Sequence, residues 1–221
     1  MCACPAGTVD VLRAQNLTFG YPHASEPAFA DWTAEFTAGT TTALTGPSGR
    51  GKSTLLYLLG LMLRPTSGEI FVDGRPASRS DDSTRAHLRA KRFGFVFQDA
   101  ALDPTRTVID NVTETALYRG VSRSAAAHRG RALLDRFGVE VPSNRKPGQV
   151  SGGQAQRIAL CRALLSAPAI LLADEPTGNL DPVTTAVVVD ALRDHAATGA
   201  TVIVVTHSPD VAAACDRRIE L

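Results

Sequence analysis

Apolar runs and helix-forming stretches alternate along the chain, most regularly in its second half. Short runs rich in Val, Ile and Leu predict buried strands, and the longer stretches between them have the composition of helices. Strands are predicted at 40–45, 93–97, 170–173 and 201–206, and helices at 52–63, 152–165, 182–197 and from about Pro209. This alternation is typical of a mostly parallel sheet covered by helices on both faces.

The pattern differs at the beginning and in the middle of the chain. Further strands are predicted at 9–21, 32–36 and 69–72. Because Gly-containing turns separate these strands, we expect an N-terminal antiparallel β portion. The region of about 99–150 is largely helical and interrupts the alternation. We therefore predict one α/β domain over 1–221, with a core of about 9–98 and 151–221 and an inserted helical subdomain of about 99–150.

Composition narrows the possible partners. The chain has 221 residues, of which 23 are Lys or Arg and 22 are Asp or Glu, so its net charge is +1. A nucleic-acid-binding domain usually carries a basic excess, and nucleic acid is therefore not expected as a partner. The start of the chain lacks the pattern of a secretory signal, and no apolar stretch reaches the roughly 20 residues that span a bilayer. We expect a cytoplasmic protein that reaches the membrane through a partner.

A glycine-rich loop lies between the strand predicted at 40–45 and the helix that follows it. Its residues match G-x-x-x-x-G-K-[ST] in full: Gly46, Pro47, Ser48, Gly49, Arg50, Gly51, Lys52, Ser53 and Thr54. Backbone N–H groups of such a loop wrap a phosphate, and the helix start beneath adds positive potential. In this context Lys52 would pair with the β/γ-phosphates and Ser53 would bind Mg²⁺. The loop predicts a P-loop NTPase fold, and by itself it is shared with kinases, GTPases and helicases.

Two carboxylates end the apolar strand at 170–173. Asp174 and Glu175 are adjacent there, and charge beside a buried strand is costly unless it is paired or metal-bound. Asp174 is suited to hold Mg²⁺ through its water shell, and Glu175 to accept a proton from an attacking water. An ordinary strand end at the solvent boundary is the alternative, which the phosphate loop disfavours.

A second anion-binding helix start is predicted at Ser151. Ser151, Gly152, Gly153 and Gln154 open the helix at 152–165 without a bulky side chain. One nucleotide does not need two such platforms from one chain. We therefore predict a dimer in which the Ser-Gly-Gly helix start of one copy closes on the ATP of the other copy, the alternative being a plain helix cap.

The order of these motifs resembles that of the ATP-binding-cassette (ABC) ATPases. The resemblance covers about residues 9–221 and rests on the phosphate loop, Gln98, Ser151–Gln154, Leu171–Pro176, Asn179–Asp181 and Thr206–His207. Finer features, including Pro65–Glu69 and Gly94–Gln98, look like the branch that contains macrolide exporters, lipoprotein-release ATPases and antimicrobial-peptide exporters. The family implies an ATPase that uses ATP and Mg²⁺, a head-to-tail dimer, and separately encoded transmembrane permease subunits.

The resemblance also implies residue roles within the nucleotide site of one chain. Tyr21 would stack on adenine, and Gln98 would sense Mg²⁺ and the attacking water while linking to the permease. Glu175 would be the general base, and His207 would contact the γ-phosphate. Simpler alternatives stay open, because Tyr21 could be a strand-end aromatic, Gln98 a plain cap and His207 a core histidine.

Across the predicted dimer, Ser151, Gly152 and Gly153 would contact the partner's γ-phosphate. Asp181 would help to connect the two sites. The chain departs from the family pattern at Arg50, in the segment 99–104, and after Gln154, where an acidic residue is often found. Little sequence follows the last predicted strand, so we expect a minimal cassette without a regulatory tail.

Three other functions remain possible on sequence grounds. A cassette of this kind could drive cell-wall or division machinery instead of transport. A DNA-repair ATPase is disfavoured, because the chain has no sustained heptads and is nearly neutral. A non-hydrolysing scaffold is disfavoured by the presence of Lys52, Glu175 and His207.

Overall fold

A computed structural model describes residues 10–22 and 26–221. The strands are β1 (Asp10–Phe19), β2 (Phe29–Thr37), β3 (Thr41–Thr45), β4 (Ser67–Val72), β5 (Arg75–Pro76), β6 (Phe93–Val96), β7 (Ile170–Asp174), β8 (Thr201–Val205) and β9 (Arg217–Glu220). The helices are α1 (Lys52–Leu59), α2 (Asp82–Arg92), α3 (Val108–Leu117), α4 (Arg123–Arg136), α5 (Gly152–Leu164), α6 (Pro182–Ala197) and α7 (Pro209–Ala213). Within the described ranges, no helix is both long and apolar enough to cross a bilayer.

The first sheet is antiparallel and has the strand order β2-β1-β4-β5. Its central strand, β1, pairs with β2 on one side and β4 on the other. Leu12, Ala14 and Leu17 on β1 are fully buried, because they face the core that this sheet shares with α1. The predicted antiparallel N-terminal portion is confirmed.

The second sheet is parallel and has the order β6-β7-β8-β3-β9. Every residue of β3, β7 and β8 is buried, as expected for strands covered on both faces. Because these strands run in one direction, their carboxyl ends meet at one edge. The segments that leave this edge carry the phosphate loop, Glu175 and His207, so the sheet topology positions the candidate site. The predicted α/β fold is confirmed.

The middle of the chain folds into two helices instead of one continuous stretch. Helix α3 ends before Gly120, whose φ of +69° turns the chain towards α4. Both helices pack on α5, and Val112 and Phe137 join a hydrophobic cluster that continues to Leu171 and Val204 of the sheet. The helical region and the parallel sheet therefore share packed apolar side chains, and the subdomain boundaries stay a prediction.

Helix α2 caps the end of α1. The sequence predicts that α1 continues to residue 63, but it ends at Leu59, and Leu61 has a φ of +57°. The buried Arg85 of α2 donates to the carbonyl oxygens of Leu61 at 2.6 Å and Leu63 at 3.2 Å. Arg89 donates to the Leu61 carbonyl at 2.7 Å. These guanidinium groups satisfy carbonyl groups that further helical hydrogen bonds would have used.

Gly68 of β4 and Gly74 of the turn between β4 and β5 allow the cost of a positive φ to be measured apart from the cost of a steric clash. Gly68 and Gly74 have similar φ values, +82° and +74°. A Cβ atom at Gly68 would overlap the Asn16 carbonyl group and approach the Gln15 carbonyl oxygen at 2.6 Å, whereas nothing lies within 4 Å of one at Gly74. We expect Gly74→Ala to lower the free energy of unfolding by about 1 kcal/mol and Gly68→Ala by about 3 kcal/mol. Urea unfolding measures both losses, and equal losses would contradict the clash.

Candidate functional site

The phosphate loop joins the end of β3 to the start of α1. Gly51 precedes α1 with a φ of +78°, and its carbonyl oxygen accepts a hydrogen bond from Leu55 N at 2.8 Å. Lys52 Nζ donates to the carbonyl oxygens of Gly46 at 2.8 Å and Pro47 at 2.9 Å. The ammonium group is therefore held across the beginning of the loop, where it concentrates positive charge beside the first turn of α1.

Close neighbours explain why glycine occupies two positions of the loop. A Cβ atom at Gly51 would lie 2.8 Å from Phe29 Cζ, and one at Gly46 would lie 2.6 Å from the Leu221 carbonyl oxygen. Arg50 is exposed, and its side chain has no hydrogen bond or ion pair with any described residue. The Arg50 side chain therefore adds positive charge at the rim of the loop and takes no part in the hydrogen bonds that Lys52 makes within it.

Asp174 is a buried carboxylate that forms no ion pair with a described residue. Its residue exposure is 1%, and neither carboxylate oxygen has a hydrogen-bond partner. Burial raises the pKa of Asp174, and the nearby Glu175 carboxylate raises it further. The Ser53 hydroxyl and the Lys52 ammonium oppose that rise in pKa, although neither donates a hydrogen bond of ordinary length to the carboxylate.

Glu175 and His207 form a pair beyond the ends of β7 and β8. His207 Nδ1 lies 2.8 Å from Glu175 Oε1, and the His207 side chain is 73% exposed while that of Glu175 is 12% exposed. Glu175 N donates to the Val205 carbonyl oxygen at 2.9 Å, and the φ of Glu175 is +46°. The exposure of His207 excludes the alternative of a core histidine. The imidazole therefore connects the shielded carboxylate to the open face of the site.

Tyr21 lies beside the first turn of α1. Its hydroxyl and Thr54 Oγ1 are 2.8 Å apart, and its ring meets Phe19 edge-on at a centroid distance of 5.0 Å. Half of the Tyr21 surface remains exposed. These contacts attach an accessible aromatic ring to the helix that follows the phosphate loop.

Gln98 lies in a turn that follows β6. Ala100 N donates to the Phe97 carbonyl oxygen at 3.0 Å, which closes the turn. Gln98 is exposed and its side chain has no hydrogen bond within the described structure, so it is not acting as a plain cap. From α5, Gln156 Nε2 donates to the Phe97 carbonyl oxygen at 3.3 Å. Sequence reasoning missed this contact, because Gln156 follows the Ser-Gly-Gly run without belonging to a recognisable motif.

The Ser-Gly-Gly helix start forms a reciprocal cap at the beginning of α5. Ser151 Oγ accepts from Gln154 N at 3.2 Å, and Gln154 Oε1 accepts from Ser151 N at 2.9 Å. Space around Gly152 is open, whereas a Cβ atom at Gly153 would lie 3.1 Å from the Asn179 carbonyl oxygen. The side chain of Gln154 is thus used within the cap.

The structure brings only part of the predicted site together. Asp181 caps α6, where its carboxylate accepts from Thr184 N at 3.0 Å and Thr184 Oγ1 at 2.6 Å, and these bonds lower the pKa of Asp181. Among the described residues, no hydrogen bond joins Ser151–Gln154 or Asp181 to the phosphate loop. Lys52, Ser53, Asp174, Glu175 and His207 converge at one edge of the parallel sheet, and no hydrogen bond joins the Ser151 platform to this group in the described structure.

The sequence profile of the family described as "ABC transporter" matches residues 29–178, which is more than half of the chain. The chain belongs to the ABC transporter family. As a member, it is an ATP-binding subunit with ATPase activity, and the predicted family, fold and enzyme class are confirmed. The alternatives in DNA repair and division machinery are not favoured.

Named relatives place the chain more finely within the ABC family. It is 45% identical over 188 residues to the lipoprotein-releasing system ATP-binding protein LolD of Paramagnetospirillum magneticum, covering 85% of this chain and 83% of that protein. It is 45% identical over 184 residues to the macrolide export ATP-binding/permease protein MacB of Nitrosomonas europaea, covering 83% of this chain and 28% of that protein.

A solved structure of an ABC cassette has the same fold. The dimeric post-hydrolysis state of the ATP-binding cassette MJ0796 bound to ADP and Pi matches with a TM-score of 0.90 and 34% identity. The match covers 95% of this chain and 94% of that one. The similarity therefore includes the parallel sheet, the antiparallel sheet and the helical region of this ABC cassette.

The unpaired Asp174 carboxylate predicts a gain in stability on its removal. Because its pKa is raised in the folded cassette, stability falls as pH rises from the ordinary value of 3.8 through the folded value. At neutral pH, without nucleotide or divalent cation, we expect Asp174→Asn to raise the free energy of unfolding by about 1–2 kcal/mol. Denaturant unfolding at pH 7 and towards pH 4 measures this gain, which should shrink as the pH falls.

The exposed Asp190 provides the control for this measurement. It makes no hydrogen bond or ion pair with a described residue, so Asp190→Asn should change stability by less than about 0.5 kcal/mol at either pH. A loss of stability in Asp174→Asn would mean that the carboxylate is compensated in the folded protein.

Proposed function

We propose that two copies of this cassette bind two Mg²⁺–ATP molecules between them and hydrolyse them to drive separately encoded membrane subunits, in export or extraction. The observation that carries this proposal is the division of the site. One edge of the sheet gathers Lys52, Asp174, Glu175 and His207, whereas the Ser151 platform makes no hydrogen bond with the phosphate loop in the described part of its own chain. A second copy in head-to-tail orientation supplies the missing platform.

Within one chain, the loop of 46–54 would wrap the phosphates. Its backbone N–H groups and the start of α1 supply positive potential, and Lys52 exchanges its loop carbonyl partners for β- and γ-phosphate oxygens. Glu175 would act as general base, because its carboxylate is shielded and stands beside the exposed imidazole of His207. His207 would hold the γ-phosphate. Tyr21 would stack its accessible ring on the adenine.

The Asp174 environment fits a magnesium ion. Both of its oxygens are buried and unpaired, and a divalent cation offsets the cost of burying such a carboxylate. Ser53 lies close to the same carboxyl group, and the exposed Gln98 carries an amide oxygen that has no hydrogen bond in the described structure. We propose that Asp174, through water, Ser53 and Gln98 hold Mg²⁺, which when bound neutralises charge on the phosphates.

Across the dimer, Ser151, Gly152 and Gly153 would receive the partner's γ-phosphate. The hydroxyl and N–H groups of this helix start are typical ligands of anions, and the open space around Gly152 allows close approach. Gln154 would support the platform through its capping bond. Asp181 would connect the two sites from the start of α6, next to Asn179 and Leu180, which approach Gly153.

The named relatives support a membrane partner. LolD is named as the ATP-binding protein of a lipoprotein-releasing system, and MacB as an ATP-binding/permease protein for macrolide export. We infer that this cassette is peripheral on the cytoplasmic face of the membrane and docks on a permease near the segment 99–104. The helical subdomain of about 99–150 would face that permease. Co-purification from membranes tests this, and recovery with division-type membrane proteins instead would favour the non-transport alternative.

Removing the proposed general base separates ATP binding from hydrolysis. We expect Glu175→Gln to lower kcat by about 100-fold or more, because the attacking water loses its proton acceptor, while the affinity for ATP stays within about twofold. Because ATP is no longer consumed, the dimer should persist in size-exclusion chromatography with Mg²⁺–ATP. The exposed Glu140→Gln is the control and should hydrolyse ATP normally. Turnover near the wild-type rate in Glu175→Gln would reject this role.

Blocking the Ser-Gly-Gly platform tests the composite site. We expect Ser151→Arg to abolish ATP-dependent dimerisation in a Glu175→Gln background, because the added side chain occupies the space for the partner's phosphate. ATP affinity of the separate chain should change by less than about twofold, since the phosphate loop is intact.

The control for this experiment is another helix cap. Ser122 Oγ accepts from Ala125 N at 3.3 Å at the start of α4, so Ser122→Arg removes a cap of the same kind, worth about 1 kcal/mol. Ser122→Arg should leave dimerisation intact. If Ser151→Arg dimerises as well as Ser122→Arg, the platform does not contribute to the neighbouring site.

A further inference from the structure

The turn that carries Gln98 ends in an unfavourable backbone conformation. Ala100 and Ala101 follow Gln98 and have φ values of +61° and +44°. Alanine rarely adopts this left-handed region, because its Cβ approaches the following carbonyl oxygen. Two consecutive residues of this kind require a compensating contact. Ala100 is also 4% exposed, so its carbonyl group is not compensated by bulk water.

Arg162 of α5 supplies that contact. Its Nη2 donates to the Ala100 carbonyl oxygen at 2.8 Å and its Nη1 to the Ala101 carbonyl oxygen at 2.6 Å. Arg162 is 8% exposed and forms no ion pair with a described residue. A buried guanidinium without a carboxylate partner is costly, and here two backbone carbonyl groups are its compensation. The two terminal nitrogens of the planar guanidinium group therefore bind the carbonyl groups of the two strained alanines.

A second side chain of α5 holds the other end of the same turn. Gln156 Nε2 donates to the carbonyl oxygen of Phe97, immediately before Gln98, and Arg162 Nη2 to that of Ala100, two residues after it, so α5 contacts the backbone on both sides of Gln98. Ser151 caps the same helix. The 13-residue helix α5 thus begins at the platform proposed for the partner's ATP. The same helix also makes the hydrogen bonds that hold the Gln98 turn beside the nucleotide site of its own chain.

We propose that Arg162 and Gln156 are positioning residues that set the Gln98 turn according to the position of α5. When Ser151 engages the ATP of the partner, α5 is fixed, and its two contacts place Gln98 at the nucleotide of its own chain. The ATP sites of the dimer are thereby coupled through α5. This inference rests on the roles proposed above for Gln98 and Ser151.

A conservative substitution tests the guanidinium fork. Arg162→Lys keeps the charge and the apolar stem but offers no planar pair of donors to two carbonyl groups. We expect its kcat to fall about tenfold while KM for ATP changes by less than about twofold, because the phosphate loop is not involved. Binding of a fluorescent ATP analogue and the thermal midpoint are measured on the same samples, so that a folding defect is recognised.

Arg157 provides a matched control on the same helix. Its Nη1 donates to the carbonyl oxygens of Phe137 at 3.0 Å and Gly138 at 2.8 Å, and its Nε to that of Gly153 at 3.4 Å, so Arg157→Lys removes guanidinium–carbonyl bonds of which none reaches the Gln98 turn. We expect Arg157→Lys to retain kcat within about twofold. If Arg162→Lys and Arg157→Lys lose kcat equally, Arg162 only stabilises the helical region, and the inference is overturned.

Glycine at the strained positions provides a rescue test. Because glycine adopts positive φ without a Cβ clash, Ala100→Gly with Ala101→Gly should restore kcat of Arg162→Lys by about threefold or more, while changing the wild-type rate little. A structural role in core packing predicts no such rescue. Absence of rescue would therefore contradict the assignment of Arg162 to the turn.

A Gln98→Ala background separates this inference from the proposed function. If Arg162 acts through Gln98, Arg162→Lys should lower kcat by less than about twofold once Gln98 is absent. Additive losses would overturn the positioning inference and leave the role of Gln98 intact. If Gln98→Ala alone does not change kcat, the role proposed for Gln98 is wrong, and the inference falls with it.

Discussion

The candidate site depends on the parallel pairing of β7 with β8 and of β8 with β3. This register sets Asp174 opposite Val205 and Leu44 opposite the same residue on the other side, so that three strand ends lie side by side. A shift of one residue would move each side chain to the opposite face of the sheet. The hydrogen bond from Glu175 N to Val205 extends this pairing past the strand and aims the acid at the imidazole of His207. Main-chain hydrogen bonds between the strands thus set the positions of Asp174, Glu175 and His207.

Several features of the site are unfavourable for the isolated fold. Asp174 is buried without a partner, Glu175 has a positive φ, and Ala100 and Ala101 are both left-handed. Packing of the fully buried strands around them keeps these residues in place. These unfavourable residues lie where nucleotide and cation would bind. Binding there could therefore offset the loss of folding stability that they cause. Ligands bound at the proposed site would therefore stabilise the cassette at the residues that destabilise it without them.

Much of the fold and of the site could be predicted from sequence, because their signals are local. The phosphate loop follows a β-rich run and precedes an apolar helix, and Asp174 and Glu175 end an uninterrupted apolar strand. Helix α2 and strand β9 were missed because they are mostly polar: α2 has Arg85 as its buried residue, and no residue of β9 is buried. The contacts of Arg162 were also missed, since a charged residue inside an apolar helix does not reveal which distant carbonyl groups it binds. Such contacts depend on tertiary structure and have no pattern along the chain.

The arginine cap at the far end of α1 changes the electrostatic field of the phosphate loop. An isolated short helix acts as a dipole, so its positive and negative ends largely cancel at a distance. Arg85 and Arg89 bind the carbonyl group of Leu61, just beyond the helix, and place positive charge near the negative end, which the Asp82 carboxylate offsets in part at 3.1 Å from Arg85. The negative end then cancels less of the positive end, and the potential of an uncancelled charge falls with distance more slowly than that of a dipole. A nucleoside triphosphate would then be attracted from farther away. Arg85 and Arg89, although remote from the phosphate loop, would therefore influence the association rate of the nucleotide and not the strength of its contacts once bound.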